Sequence, residues 1–233
     1  MKIAVSLTTI PERINNVHYI IDMLLKQTCK PDSITLYVCC DEIPNLLLSI
    51  ADSNPLFAIK KVNDMGPGTK WYYSLKENND IVIFFDDDVF IHSDAINELL
   101  NYHFKYPTEN LGFMGTIQNK FIHNEYLKDI DKYNVDLLGG YRGVLIPWYQ
   151  YNNEQKNKLL SSFEFLCSSS KVLDDDYFLS KAWKHIKAQS SVVKSNSPWA
   201  FQFAIWSSIC SINNAENDSK LIEDRTRTDN HFN

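Results

Sequence analysis

The sequence predicts an α/β protein with three layers, helices packed on both faces of a mostly parallel central sheet. Three observations predict it. Residues 1–107 alternate strand and helix patterns four times, the signature of a parallel sheet with helical crossovers. Within them, Ile81 to Phe85 is an apolar run, β-branched then aromatic, too short for a buried helix and suited to a strand covered on both faces. Asp86, Asp87 and Asp88 follow at once. In an open α/β sheet that is where ligands bind, beyond the carboxyl ends of the strands.

The elements follow in order. Ile3 to Leu7 reads as the first strand. Pro11 and Glu12 suit the first turn of a helix, and Ile14, Val17, Ile21, Leu24 and Leu25 continue it at helical spacing to about Gln27, before Pro31. Ile34 to Cys39 is a second strand, Leu46 to Ala51 a short helix and Phe57 to Val62 a weaker third strand. Asp64-Met-Gly-Pro-Gly-Thr-Lys70 is a loop by its glycines and proline. It leads into a helix over Trp71 to Glu77 and then the Ile81 strand. Such a loop fits either a plain turn or backbone amides presented to a phosphate beside Lys70. Ser93 and Asp94 are cap residues for a helix whose Ile96, Leu99, Leu100 and Phe104 share one face, closed by Pro107.

The second half is less regular. Leu111 to Ile117, Lys120 to Ile122, Val135 to Leu138, Val144 to Ile146 and Gln189 to Lys194 read as strands, and Trp199 to Trp206 as helix or loop. Gly139, Gly140 and Gly143 fall in one segment, which suits either a ligand wall or a bulged strand. A second acid triplet, Asp174 to Asp176, precedes Phe178, Leu179, Ala182, Trp183 and Ile186 at helical spacing. These acids fit a helix cap, and one of them equally fits a general base. The last residues, from Glu216, are polar and read as a disordered tail.

Carboxylates set together repel and raise one another's pKa unless a cation intervenes, so the first triplet, Asp86 to Asp88, reads either as a polar turn or as a seat for a hard divalent ion, Mg²⁺ or Mn²⁺. The net charge of −6 argues against a broad nucleic-acid-binding face. Cysteines 29, 39, 40, 167 and 210 are odd in number and lack a Cys-x-x-Cys pair, which fits reduced thiols in a cytoplasmic protein. No apolar run approaches the roughly 20 residues that span a bilayer, and the N-terminal segment reads as a strand rather than a signal peptide. Peripheral contact with a membrane stays open.

Several segments, taken in order, resemble the small GT-A glycosyltransferases of the glycosyltransferase-2-like kind. They are Ser6-Leu-Thr-Thr-Ile-Pro-Glu-Arg13, Gly66-Pro-Gly-Thr-Lys70, Asp86-Asp-Asp88, Val135-Asp-Leu-Leu-Gly-Gly-Tyr-Arg-Gly-Val144 and Asp175-Asp-Tyr-Phe-Leu-Ser180. The resemblance implies a Rossmann-like GT-A fold in a single domain, with a nucleotide-binding half over 1–107, an acceptor and catalytic half over 108–215 and a tail over 216–233. It implies metal-dependent transfer of a hexosyl or deoxyhexosyl group from a nucleotide-diphosphate sugar to a glycan or glycoconjugate acceptor. Thr8 and Arg13 would belong to the nucleotide pocket, and Asp64 and Lys70 would line base, ribose or diphosphate. Asp86 and Asp88 match the Asp-x-Asp pair around the variable Asp87, with Asp86 on ribose or sugar and Asp88 on Mn²⁺ or Mg²⁺. Gly140 would form the wall under the donor sugar, Asp175 and Asp176 the acidic pair that supplies the base of an inverting reaction, and His231 the last metal ligand. Two other readings stand beside it, a non-catalytic sugar- or nucleotide-binding domain and a metal-dependent nucleotidyltransferase. The second would usually carry a glycine-rich basic loop near the first strand, where this chain has only Arg13.

Overall fold

A computed structural model of the protein describes residues 1–118, 120–122, 127, 130–195 and 215–232. The first half holds β1 (Ile3–Thr9), α1 (His18–Leu25), β2 (Ser33–Val38), α2 (Asn45–Ser53), β3 (Phe57–Lys61), α3 (Thr69–Lys76), β4 (Ile81–Phe84) and α4 (Ala95–Lys105). The second holds β5 (Glu109–Gly112), β6 (Gly115–Ile117), β7 (Lys120–Ile122), β8 (Lys132–Asn134), β9 (Leu137–Leu138), β10 (Val144–Ile146), α5 (Asn153–Ser169), α6 (Asp175–His185), β11 (Gln189–Val193) and α7 (Ala215–Phe232). Eight strands form the central sheet in the order β3-β2-β1-β4-β10-β5-β11-β8, and β7-β6-β9 form a small second sheet.

Strand alternation builds the layers. In β4, Ile81 and Ile83 join one core with Val5, Leu7, Ile34 and Leu36, covered by Ile20, Ile21 and Leu24 of α1 and Ile96, Leu99 and Leu100 of α4. Val82 and Phe84 face the other way, toward Trp71 and Leu75 of α3, Leu159 and Phe163 of α5, and Phe178 and Ala182 of α6. Each helix brings one apolar stripe, so the centre of the sheet is dry on both faces and β4 is apolar throughout.

The protein is therefore α/β with a mostly parallel central sheet, but the second half departs from strict alternation. β1, β2, β3 and β4 pair in parallel. β10 runs antiparallel between β4 and β5, and β8 antiparallel to β11. A strand inserted antiparallel needs no helical crossover, which is why the described residues of 109–146 carry short strands without intervening α-helices.

Three readings of the sequence change, and a fourth is not reached. The helix expected from Pro11 begins at His18; residues 10–17 instead form tight turns, with Arg13 N–H and Ile14 N–H both donating to Ile10 C=O. α5 had no counterpart in the pattern analysis. It is opened by a capping box in which Asn152 accepts from the Gln155 N–H and the Gln155 side chain accepts from the Asn152 N–H. The tail is not disordered over 215–232: it is α7, packed on α5 and α6. Trp199 to Trp206 lie outside the described residues.

Candidate active site

The site lies at the carboxyl ends of β1 and β4, where the chain leaves the core. Asp86, Asp87 and Asp88 follow β4, and Thr8 and Thr9 end β1 beside it. Lys70 stands in the first turn of α3, reached through the Gly66–Gly68 loop. Asp175 and Asp176 occupy the first turn of α6.

Lys70 joins the two triplets. Its Nζ is 2.7 Å from Asp86 Oδ1 and 3.0 Å from Asp175 Oδ2. The lysine is only 2% exposed and lies near the Phe84 ring. Trp71 Nε1–H also donates to Asp175 Oδ2, at 3.1 Å. Asp176 Oδ1 accepts the Gly140 N–H at 2.9 Å. Glycine is required there by space: a Cβ would stand 2.7 Å from Asp176 Oδ1 and 2.9 Å from the Phe84 ring. The turn over Gly140–Arg142 thus rests its backbone against the first turn of α6.

The rest of the first triplet is held by Arg13. One guanidinium nitrogen is 2.9 Å from Asp87 Oδ1, the other 2.7 Å from Asp88 Oδ2. Thr9 Oγ1–H donates to Asp87 Oδ2 at 2.5 Å. Thr8, on the opposite face of the same strand, donates to Tyr37 C=O at 3.0 Å and bonds into the sheet rather than to the acids. Asp64 accepts the Gly66 N–H at 2.8 Å and pairs with Lys171, ordering the glycine loop rather than meeting the triplets directly. A cavity of about 430 Å³ opens between Pro11, Ile14 and Asn15 after β1 and Cys40, Glu42, Ile43, Pro44 and Asn45 after β2.

The electrostatics follow from burial. Desolvation pulls the Lys70 ammonium down, but Asp175 and Asp86 outweigh it and hold it charged above the usual lysine range. Burial pushes Asp87 up to about 6, against the Arg13 guanidinium that pulls it down. Burial also raises Asp88, with Asp86 adding to it and Arg13 opposing. Asp175 is raised by burial and pulled back chiefly by Lys70. Asp176 is raised well above the usual carboxylate range, first by burial and then by the neighbouring Asp175 charge.

Asp86 and Asp88 offer the hard oxygens that Mg²⁺ and Mn²⁺ take. Among the described residues no three His, Cys, Asp or Glu side chains gather into a metal cage. His231 does not join these carboxylates. α7 runs alongside α6 in the same direction, with Asp224 at the Leu173 and Asp174 amides and Phe232 near His185. The His231 ring stacks on Phe165, with ring centroids 5.2 Å apart. The neighbouring Phe232 ring meets both Phe178, three residues after Asp175, and His185.

Two members of the site escaped the pattern analysis. Thr9 was legible only as the strand neighbour of Thr8, whose side chain points to the other face. Trp71 read only as the start of a helix; its indole N–H, beside Lys70, was the available signal.

The sequence matches no family profile and no curated protein. Solved structures do match in shape. S. aureus TarS residues 1–349 in complex with UDP-GlcNAc aligns over 100% of this chain and 70% of its own, at TM-score 0.63 and 14% identity. The same TarS segment with UDP aligns over 100% and 70%, at TM-score 0.61 and 15% identity. Another TarS structure aligns over 86% of this chain at TM-score 0.60 and 15% identity, and the chain spans only 36% of it. No helix among the described residues is long and apolar enough to cross a membrane. The strand order, the helices on both faces and this likeness agree on one architecture: the chain has the GT-A glycosyltransferase fold.

Proposed function

We propose that this protein is a glycosyltransferase that moves a hexosyl or deoxyhexosyl group from a nucleoside-diphosphate sugar to a hydroxyl of a glycan or glycoconjugate, with inversion. The observation that carries the reading is Lys70, whose ammonium touches Asp86 of one triplet and Asp175 of the other. It brings a donor-side carboxylate and an acceptor-side carboxylate to one point at the end of β4. The likeness to TarS, whose structures hold UDP-GlcNAc and UDP, supports a nucleotide sugar as donor.

The charges suit a diphosphate. In this site Arg13 and Lys70 are held against carboxylates, and each unit-charge contact at about 4 Å contributes roughly 4 kcal/mol at an effective dielectric near 20. An incoming pyrophosphate competes for those cations and collects charge as the sugar departs. Asp88, with Asp86, would hold the Mn²⁺ or Mg²⁺, which when bound neutralises charge on the leaving diphosphate. The cavity between the segments after β1 and β2 offers room for the nucleoside.

Of the second triplet, Asp176 is the better base. Asp175 already accepts from Lys70 and Trp71 through one oxygen and is buried. Asp176 takes its backbone bond through Oδ1, and its raised pKa makes it a stronger proton acceptor once ionised. In the reaction the acceptor O–H proton passes to Asp176, the acceptor oxygen bonds the anomeric carbon, and the anomeric C–O bond to phosphate breaks, leaving the nucleoside diphosphate.

A thermal-shift panel of nucleoside diphosphates and nucleotide sugars, with and without Mn²⁺, tests this. A ligand at about 100 times its Kd stabilises the folded state by about 2.7 kcal/mol. One nucleotide should raise the Tm more with manganese than without. Flat melting curves across the whole panel would reject the reading, and binding without sugar transfer to any acceptor would mark a binding domain.

A further inference from the structure

α7 does more than cover the helical layer. Its inward face is polar: Asp224 is 5% exposed and Thr228 is buried, where an ordinary packed helix would carry apolar residues. The Asp224 carboxylate accepts the Leu173 N–H at 2.9 Å and the Asp174 N–H at 3.0 Å. Those are the amides immediately before the first turn of α6. Arg227 pairs with Asp224 at 2.6 Å and reaches the Leu166 and Ser170 carbonyls with one nitrogen and the Lys171 carbonyl with the other, each at 3.2 Å. It thereby satisfies carbonyls at the end of α5 that have no helical partner. Arg225 forks onto Asp174 Oδ2, through Nε at 2.8 Å and a terminal nitrogen at 2.6 Å. The α5–α6 connection so gripped also lies on the glycine loop: a Cβ at Gly66 would run into Val172 C=O, and Lys171 pairs with Asp64. That loop leads into Lys70.

We infer that Asp224 and Arg227 are positioning residues, which fix the α5–α6 connection and through it set Asp175 and Asp176 against Lys70 and Gly140. The chain of contacts is continuous from α7 to the acids and needs no movement of α7 itself. The kinetic part of this inference rests on the function proposed above; the structural part does not.

Two readouts separate them. Hydrogen–deuterium exchange on the whole protein compares wild type with Asp224→Ala, Arg227→Ala and the control Ile222→Ala, whose side chain is 65% exposed on the outer face of α7. Faster exchange should spread in the two clamp variants to residues 172–178 and 139–143, including the Gly140 amide that Asp176 accepts, and stay at wild-type rates there in Ile222→Ala. Exchange that rises only within 215–232 would overturn the inference. In the transfer assay, kcat should fall about 10–100-fold in Asp224→Ala, the size expected of a small misplacement of a catalytic group, with the donor KM nearly unchanged. Arg227→Lys should not restore it, because a single ammonium cannot span the three carbonyls. A clamp variant that loses only thermal stability, with wild-type kcat in its folded fraction, would also overturn the inference. A wild-type protein that transfers no sugar would remove the proposed function and leave exchange to decide the clamp.

Discussion

The two aspartate triplets have the same composition and opposite constructions. The first follows a buried strand and is neutralised from outside its own segment. Arg13, from the turns after β1, takes Asp87 and Asp88, and Lys70, from α3, takes Asp86. The second opens a helix and divides its labour. Asp174 caps α6 by accepting the Tyr177 N–H, Asp175 meets Lys70 and Trp71, and Asp176 accepts the Gly140 N–H through Oδ1. Under the function proposed above, the set paired to cations would exchange them with an anionic ligand, and the half-buried acid bonded to a backbone amide would take the proton. The difference lies in the partners, which the repeated letters of the sequence do not reveal.

The sharpest way to break this comparison is Asp176→Asn. It keeps the size and the acceptor for Gly140 N–H but removes the base. Transfer should fall by about 10²–10⁴-fold while donor binding persists. The wild-type rate should decline as pH falls through an acid limb above the ordinary carboxylate range, because burial and Asp175 favour the protonated, inactive form of Asp176. Wild-type turnover in the variant, or the same loss in Asp174→Asn, would erase the distinction between the members of the second triplet.

Next in size is Lys70→Met, which strips the ammonium from between the triplets but fills its space. Removing one partner of a buried ion pair costs about 3–5 kcal/mol, because Asp86 and Asp175 then face each other unpaired. Denaturant unfolding at neutral pH should show that loss. Lowering the pH should recover part of it: with Lys70 gone, the raised folded-state pKa of Asp175 favours the native state once that acid is protonated. The double variant Lys70→Met with Asp175→Asn should be more stable than Lys70→Met alone. Equal stability of the single and double variants would mean that the two triplets are not electrically joined.

How much of this was legible depends on where the information sits. The parallel half was legible because β1, β2 and β4 carry apolar runs and their helices carry apolar stripes, so burial and periodicity coincide. Asp86, Asp88, Asp175 and Asp176 were legible as acids at element ends. Their pairing with Arg13 and Lys70 was not, since it joins residues far apart in sequence. α5 hid behind its many polar residues, although its buried Leu159, Phe163 and Leu166 and the Asn152–Gln155 capping box were present in the letters. α7 was illegible for a deeper reason. Its inward stripe passes through Asp224 and Thr228, so the hydrophobic pattern that marks a packed helix is absent, and hydrogen bonds to the α5–α6 connection take its place. His231 lies on this helix with its ring against Phe165 and Phe232, a placement that a polar tail without a fixed direction did not foretell.

The smallest expected effect tests the first member of the second triplet. Asp174 Oδ1 accepts the Tyr177 N–H at 2.9 Å, the usual third-position bond of an N-cap, and Oδ2 receives Arg225. Asp174→Ala removes both and should cost about 1 kcal/mol, read as a lower denaturant midpoint with an unchanged slope. Asp174→Asn keeps an oxygen for the Tyr177 N–H and loses only the charge opposite Arg225, whose side chain is 47% exposed. Exposed pairs of this kind contribute between nothing and about 1 kcal/mol, so the asparagine variant should stay close to wild type in stability. The order of the two variants matters more than either value. If alanine and asparagine are equally destabilising, charge rather than capping holds the start of α6, and the division of labour within the triplet would have to be redrawn with Asp174 as an electrostatic partner of Asp175 and Asp176.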